Sequence, residues 1–467
     1  MNWSSRSDQW FAQRSLKRHA GVFQIWALGV GAVISGDFFG WNYGLAAGGF
    51  DGLMAAVALM TLLYIGLCYS VAELCAALPH SGGAYSFARA SMGPWGGYIT
   101  GLAENMEYIF TPATIVVGIG GYLGAIFGTP SAWEPAWWLA CYVLFVWLNI
   151  RGVETSFRVS VVTTLTALAV LLVFWIGALP QLDLGRWAMP HAKGLSGIFP
   201  ALPFALWLYL GIEQLPLAAE ETHDPGRNMP KGILWALATL VVCSVLTPLI
   251  SAGLPPGSEA VGKSSEPLFL GFQSIFGKGL SSRFLALCAV SGLIASFHAI
   301  LYAYGRQIYS LARAGYFPEW LSGTHGSRHT PHRALIAGSL LGFAAAVGIR
   351  LSGPAGSVGA ILLNMAVFGA VLAYILQMAS FILLRRNAPH MPRPYVSPLG
   401  VPGAVLAAII AAVTLVALFL NPDYRIGVAG AAVWFFLGIL WFAFHARHRL
   451  ILAPEEEFAA SLKTKQP

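Results

Sequence analysis

The sequence predicts an all-α polytopic membrane protein of twelve transmembrane helices, and three observations carry that reading. Of 467 residues, 57% are hydrophobic and only 10% charged; a soluble domain carries roughly 25% charge, so a water-solvated globule is excluded. The 52 Gly, 27 Pro and 16 Trp match the raised Gly, Pro and interfacial Trp of helical membrane proteins. The basic residues also fall unequally on alternate loops, 20 on one side and 7 on the other.

The spans follow from apolar runs of about 20 residues between polar breaks. They lie near 21–48, 51–78, 95–127, 133–150, 157–179, 196–219, 231–252, 281–311, 332–350, 355–384, 401–420 and 425–446. The third and eighth are long enough to require tilt. The richer side holds Arg6, Arg14, Arg385 and Arg447, while Arg186, Lys193, Lys263 and Arg350 lie on the other. That bias places both termini in the cytoplasm of a bacterial-type inner membrane. The net charge of +7 is therefore a topology signal, with no nucleic-acid partner implied. The basic N-terminus runs directly into the first span and reads as an uncleaved helix.

Spans 1 to 5 and spans 6 to 10 begin at offsets rising from about 175 to 200 residues, as two five-helix repeats would give. The resulting organisation is an N-terminal segment 1–20, a first repeat 21–195, a second repeat 196–400, two further helices 401–446 and a tail 447–467. Five cysteines sit in apolar runs without CxxC or Cys/His spacing, so neither a disulfide framework nor a metal site is expected. A GxxxxGK[ST] match, Gly257–Ser264, falls in the segment between the seventh and eighth spans without the preceding strand a phosphate-binding loop needs, and no GxSxG or HExxH stretch occurs, so neither ATP-driven transport nor hydrolysis is indicated and no cofactor is expected.

Two spans contain breaks. The first carries Ser35, Gly36 and Asp37 at mid-span, where a carboxylate costs roughly 2.5–3.5 kcal/mol on insertion scales. The sixth carries Tyr209, Gly211, Glu213 and Pro216. Matching breaks in two halves point to a transporter's central site. Unwinding is expected at Ser35, Gly36 and Asp37.

These residues resemble the amino acid–polyamine–organocation permeases. Gly31-Ala-Val-Ile-Ser-Gly36 is similar to their first-helix signature. Ala72-Glu73-Leu, Pro79-His-Ser-Gly-Gly83-Ala-Tyr85, Leu148-Asn-Ile-Arg-Gly-Val-Glu154, Glu220-Glu-Thr-His-Asp-Pro-Gly-Arg-Asn-Met-Pro230 and Arg306-Gln-Ile-Tyr-Ser-Leu-Ala-Arg-Ala-Gly315 resemble their cytoplasmic signatures. Ile34-Ser-Gly-Asp-Phe-Phe-Gly-Trp-Asn-Tyr-Gly-Leu45 and Glu104-Asn-Met-Glu107-Tyr with Thr111-Pro112 resemble the ethanolamine permease branch. The resemblance implies a leucine-transporter-like five-plus-five inverted repeat and secondary active uptake of a small amine. Asp37 stands where an apolar residue is common in the superfamily. The fifth span has Thr163, Thr164 and Thr166 but no lysine where proton-coupled relatives carry one. The coupling ion is left open between proton and sodium.

Asp37 is expected to cap the outer half of the first helix with its carboxylate, repelling a substrate carboxylate and attracting an ammonium. The competing reading makes it a cap alone. Glu213 is expected to pair with the amine, take a proton, or bond loose backbone amides. Glu104 and Glu107, three apart on one helical face, are candidates with Glu213 for proton coupling. Trp41 and Tyr209 are the aromatic residues expected to meet the substrate ammonium. Glu73 reads as a gate or structural partner, His298 as a hydrogen-bonded structural histidine, and Ser291 with Ser296 as a weak sodium-site signal. The leading function is import of ethanolamine or a similar small amine. The alternatives are an amino acid permease or exchanger and, from another class, a transceptor.

Overall fold

The computed structural model describes residues 3–4, 6–12, 16–187, 194–264, 266–352, 358–420, 424–453 and 457. Arg14 and Lys193, assigned above to loops, lie outside them, as do residues 454–456 and 458–467 of the tail. Ten helices among the described residues are long and apolar enough to cross a membrane. The chain is a multi-pass helical membrane protein.

The helices run in order α1 (Asp8–Ala12), α2 (Val22–Val33), α3 (Ser35–Phe38), α4 (Tyr43–Ala77), α5 (Ala84–Phe127), α6 (Glu134–Arg151), α7 (Val153–Ala178) and α8 (Ile198–Trp207). They continue with α9 (Pro225–Ala252), α10 (Ser258–Lys263), α11 (Pro267–Phe276), α12 (Leu280–Arg313), α13 (His332–Ser352), α14 (Val358–Asn387), α15 (Gly400–Leu420) and α16 (Arg425–Phe444). A 3-10 segment, Ile212–Glu221, follows α8. Two short strands, β1 (Trp3–Ser4) and β2 (Leu450–Ile451), pair in parallel. That pairing brings the N-terminal segment and the end of the bundle together.

Two boundaries differ from the sequence-based expectation. α4 joins the outer half of the first span to the second span through a single non-helical residue, Gly49 (φ 73°, ψ 176°). α5 begins eleven residues before the expected 95, because Gly93 (φ 79°) bends the helix without ending it. Pro94, lacking an N–H, completes that bend. With 44 and 34 residues, α5 and α12 both exceed a hydrocarbon core of about 30 Å at roughly 1.5 Å per residue.

The core is built around α5, which packs on α14 and α12, and around α4, which packs on α8 and α9. Small residues permit the closest approach. A Cβ on Gly48 would lie 2.3 Å from the Gly197 carbonyl oxygen, and one on Gly52 would lie 2.7 Å from the Gly197 carbonyl carbon. In lipid, where no hydrophobic force drives helices together, such backbone contact supplies van der Waals cohesion. It holds the start of α8 against α4 and so places the two broken helices side by side.

Candidate functional site

The break in the first helix has two parts. Within the regular ladder, the Ser296 hydroxyl of α12 donates to Gly31 O at 2.7 Å and accepts from Ser35 N–H at 2.9 Å. It replaces the bond that Ser35 N–H would make to Gly31 O, and a side chain inserted this way opens a helix. One further turn, α3, follows. The chain then extends at Phe39 (φ −158°, ψ 144°) and reverses at Gly40 (φ 99°). The unwinding expected at Ser35, Gly36 and Asp37 therefore lies at Phe39 to Asn42, with those three residues helical above the Ser296 insertion.

Side chains satisfy the carbonyls freed by the break. Asp37 O accepts from Trp41 Nε1 at 3.1 Å, Phe38 O from the Tyr122 hydroxyl at 2.8 Å, and Phe39 O from Trp207 Nε1 at 2.9 Å. Thr164 of α7 donates to Ala27 O at 2.9 Å. These backbone oxygens thus carry aromatic and hydroxyl donors within the protein. Gly40 is irreplaceable here: a Cβ would lie 2.6 Å from Trp207 Nε1 on a backbone that L side chains avoid. Gly40→Ala is expected to destabilise the folded protein by about 2 kcal/mol or more, read as a lowered unfolding midpoint in detergent.

Asp37 itself does not cap the outer half-helix. Asn42 occupies the N-cap position of α4, and the Asp37 carboxylate is fully buried. The break opens two residues beyond Asp37, so its side chain leaves a helical turn that packs on α9. There the Thr247 hydroxyl is its polar neighbour. Gly36 packs against the other break, where a Cβ would lie 2.6 Å from Trp207 O.

The second break spans Leu208 to Gly211, with Gly211 at φ 110°. Glu213 accepts the Gly211 N–H through both oxygens, at 3.0 and 3.1 Å. Of its three expected roles, backbone bonding is the one made in this conformation. Tyr209 bonds the hydroxyls of Thr61 (2.6 Å) and Ser244 (2.5 Å) and stacks on Tyr64, ring centroids 5.0 Å apart.

Beyond Tyr64 lies a layer of acids. Glu107 confronts Glu213, carboxyl to carboxyl. Glu104 accepts from Gln307 Nε2 at 2.6 Å and from the Tyr108 hydroxyl at 3.4 Å. Tyr64 and Tyr374 join hydroxyls at 2.8 Å beside them. The structure therefore brings Ser35, Gly36, Asp37, Trp41 and Tyr209 to the paired breaks. Glu104, Glu107 and Glu213 form an adjoining layer, linked through the Tyr209–Tyr64 stack. Among the described residues no Lys or Arg pairs with Asp37, Glu104, Glu107 or Glu213. Burying acids without cations is costly.

Arginines pair instead at the end of the bundle where β1 and β2 lie. Arg306 and Glu221 are both fully buried and bonded at 2.9 and 3.1 Å, with the Tyr302 hydroxyl also donating to Glu221. Glu221 O in turn accepts the N–H groups of His19 and Ala20. Arg313 binds Glu220 at 2.8 Å, and Ser81 bonds the same carboxylate through N–H and hydroxyl at 3.0 Å each. Glu73 joins Arg385, Arg393 and the Ser397 N–H. His298 is buried, its ring nitrogens bonded to Asn149 and Ser156. The sequence reading quoted Glu220, Glu221, Arg306 and Arg313 without pairing them. Two acids ending the sixth span and two arginines seven apart ending the eighth are the signal for it.

Two interrupted helices in contact beside buried acids form the architecture of membrane transport proteins. A family model described as amino acid permease matches residues 21–444, and the chain belongs to the amino acid permease family. It is 28% identical to an uncharacterized transporter of Rhizobium meliloti (strain 1021), over 92% of each chain. It is 26% identical to the branched-chain amino acid permease BcaP of Bacillus subtilis (strain 168), over 93% of this chain and 95% of that one. A methylthioribose transporter of the same Bacillus strain is 24% identical, over 94% and 95%.

Proposed function

We propose that the protein is a secondary active transporter that imports ethanolamine or a similar small organic amine across the inner membrane. Its termini are cytoplasmic and it crosses the membrane twelve times. Ten of the crossings are the long apolar helices, and the other two are the broken Val22–Phe38 stretch and α6. Helices 1 to 5 and 6 to 10 are inverted repeats that rock about the paired breaks, which supports alternating access. The observation that carries the substrate reading is Asp37, a carboxylate buried without a Lys or Arg on it and with only the Thr247 hydroxyl beside it. An ammonium supplies the missing charge, whereas a substrate carboxylate would meet like charge. Ser35 and Gly36 set the turn that presents Asp37, Trp41 and Tyr209 wall the site, and Glu104, Glu107 and Glu213 are the groups that would carry a coupling proton, the driving ion being proton or sodium.

The relatives favour a second reading, since a branched-chain amino acid permease aligns over nearly the whole length. In that case the protein is an amino acid permease or exchanger, and Asp37 meets the α-ammonium while the carboxylate lies away from it. Competition in proteoliposomes separates the two. Labelled ethanolamine uptake is expected to fall with excess aminopropanol or choline and to persist with excess leucine or valine. Strong inhibition by amino acids with none by amines overturns the amine reading. Replacing sodium, then collapsing the pH gradient, identifies the driving ion.

A further inference from the structure

The outer surface of the bundle carries a groove of about 320 Å³ between α6 and α13. Its walls are exposed apolar side chains, Val143 and Trp147 on α6 and Ile336 and Leu340 on α13. Its floor is formed by the buried Tyr142 and Ser339. The Ser339 hydroxyl is engaged with Leu335 O and with the Tyr304 hydroxyl of α12, which leaves an apolar trough. Thr330, just ahead of α13, donates to Ile150 O at 3.0 Å and ties the two helices at one end. From Tyr142 to Ile150 the trough follows α6 for roughly 12 Å, at about 1.5 Å per residue.

Arginines stand at that tied end. On α6, Val143, Trp147 and Arg151 recur every fourth residue and share one face. On α13, Arg333, Ile336 and Leu340 do the same at spacings of three and four. Both faces that wall the trough therefore end in a guanidinium. The Arg151 guanidinium lies over the Trp147 ring, 4.2 Å from its centroid, so the charge and the apolar wall are in direct contact. Arg333 gives one N–H to Trp320 O at 3.2 Å. Among the described residues no acid pairs with either arginine: Glu154 is bonded to Arg158 and Glu319 to Arg6. The bond to Arg6 also marks this end as the one bearing β1 and β2.

We propose that the groove between α6 and α13 binds one anionic phospholipid, with an acyl chain in the trough and the phosphate on Arg151 and Arg333. A chain gains little hydrophobic free energy by leaving bulk lipid for a protein groove, so the trough sets shape and the arginines set preference. Guanidinium groups bind phosphate oxygens through forked N–H pairs. A headgroup with its own cation brings like charge to the two arginines, whereas a net-negative one does not. The cytoplasmic leaflet, to which the topology proposed above assigns this end, has the negative surface. The groove backs on α12, whose Tyr304 holds Ser339 and whose His298 is bonded by Asn149 at 3.0 Å. A bound lipid thus braces α6 and α13 on the helix that carries Ser296, whatever substrate the protein carries.

The test titrates the full chain in detergent with dioleoyl phosphatidylglycerol or dioleoyl phosphatidylcholine, read by native mass spectrometry and by thermal unfolding. Wild type is expected to bind the first phosphatidylglycerol at least about fivefold more tightly than phosphatidylcholine, and to unfold later in its presence. Arg151→Gln with Arg333→Gln is expected to weaken that binding roughly 20-fold, about fivefold per arginine. Phosphatidylcholine binding should stay within about twofold in the same variant. Arg151→Lys with Arg333→Lys keeps the charge and is expected to hold phosphatidylglycerol within about twofold of wild type, which separates charge from folding. Val143→Trp fills the trough from an exposed position and is expected to displace the lipid with both arginines in place. Glycerol phosphate, a headgroup without chains, is expected not to compete. Equal affinity for the two lipids, or phosphatidylglycerol binding unchanged by the two glutamines or by Val143→Trp, overturns the site. Displacement by glycerol phosphate at equal concentration does so too, as does a dimer that Val143→Trp abolishes, since the groove would then seat a second copy.

Discussion

Asp37→Asn is expected to abolish amine uptake while leaving at least as much folded protein in the membrane as wild type. The amide keeps the shape and removes the charge. Losing one partner of a buried charge pair costs about 2–5 kcal/mol, so uptake at low substrate should fall by at least about 30-fold. The stability side has the opposite sign. In the substrate-free site the carboxylate is buried without a cation, and an uncompensated buried acid opposes folding. The apparent unfolding temperature of Asp37→Asn should therefore equal or exceed that of wild type, and added ethanolamine should raise the midpoint of wild type only. Unfolding shifts of both proteins with and without ethanolamine, beside vesicle uptake, measure both halves. An Asn variant that transports at the wild-type rate, or one that unfolds several degrees earlier, would show that residue 37 has another role.

How much of this was legible in the sequence depends on whether local or distant groups decide each feature. Hydropathy alone finds the long helices, because burying apolar side chains in lipid is a local property of about 20 residues. It also locates both breaks to within a few residues, since Gly36, Gly40 and Gly211 are poor helix interiors. It does not place the opening of the first helix. That is decided by the Ser296 hydroxyl, from 261 residues away, and by Trp207 and Tyr122 capping Phe39 O and Phe38 O. The expected cap at Asp37 failed for the same reason. With the opening shifted to Phe39, the N-cap position passes to Asn42, whose side chain turns to Gly40, Val261 and Ser264. The helical spacing of Glu104 and Glu107 was readable, yet their different fates were not. Gln307 satisfies Glu104 and Glu107 meets Glu213, a distinction set by which neighbouring helix each faces.

Arg306→Met is expected to be the most destabilising single change in the molecule. Arg306 and Glu221 have no exposed side-chain surface, and the guanidinium also lies 3.4 Å from the Tyr302 ring centroid. Removing the cation leaves Glu221 ionised in the interior, or forces it to protonate, at a cost of about 3–5 kcal/mol. Replacing both, as Arg306→Met with Glu221→Leu, removes the stranded charge and should recover most of that loss, because a buried ion pair is often no more stabilising than apolar groups of similar volume. Thermal unfolding of the two singles and the double closes the cycle. The same comparison tests what the pair is for. Glu221 ends the 3-10 segment below the second break and its carbonyl takes the His19 and Ala20 amides, so the ion pair joins the sixth helix to α12 and to the entry of the first. If the pair serves as a latch that must open during transport, the double variant should fold normally yet carry substrate slowly or leak it. A double variant as stable and as active as wild type would reduce the network to packing, and equal stability of Arg306→Met itself would deny the buried geometry.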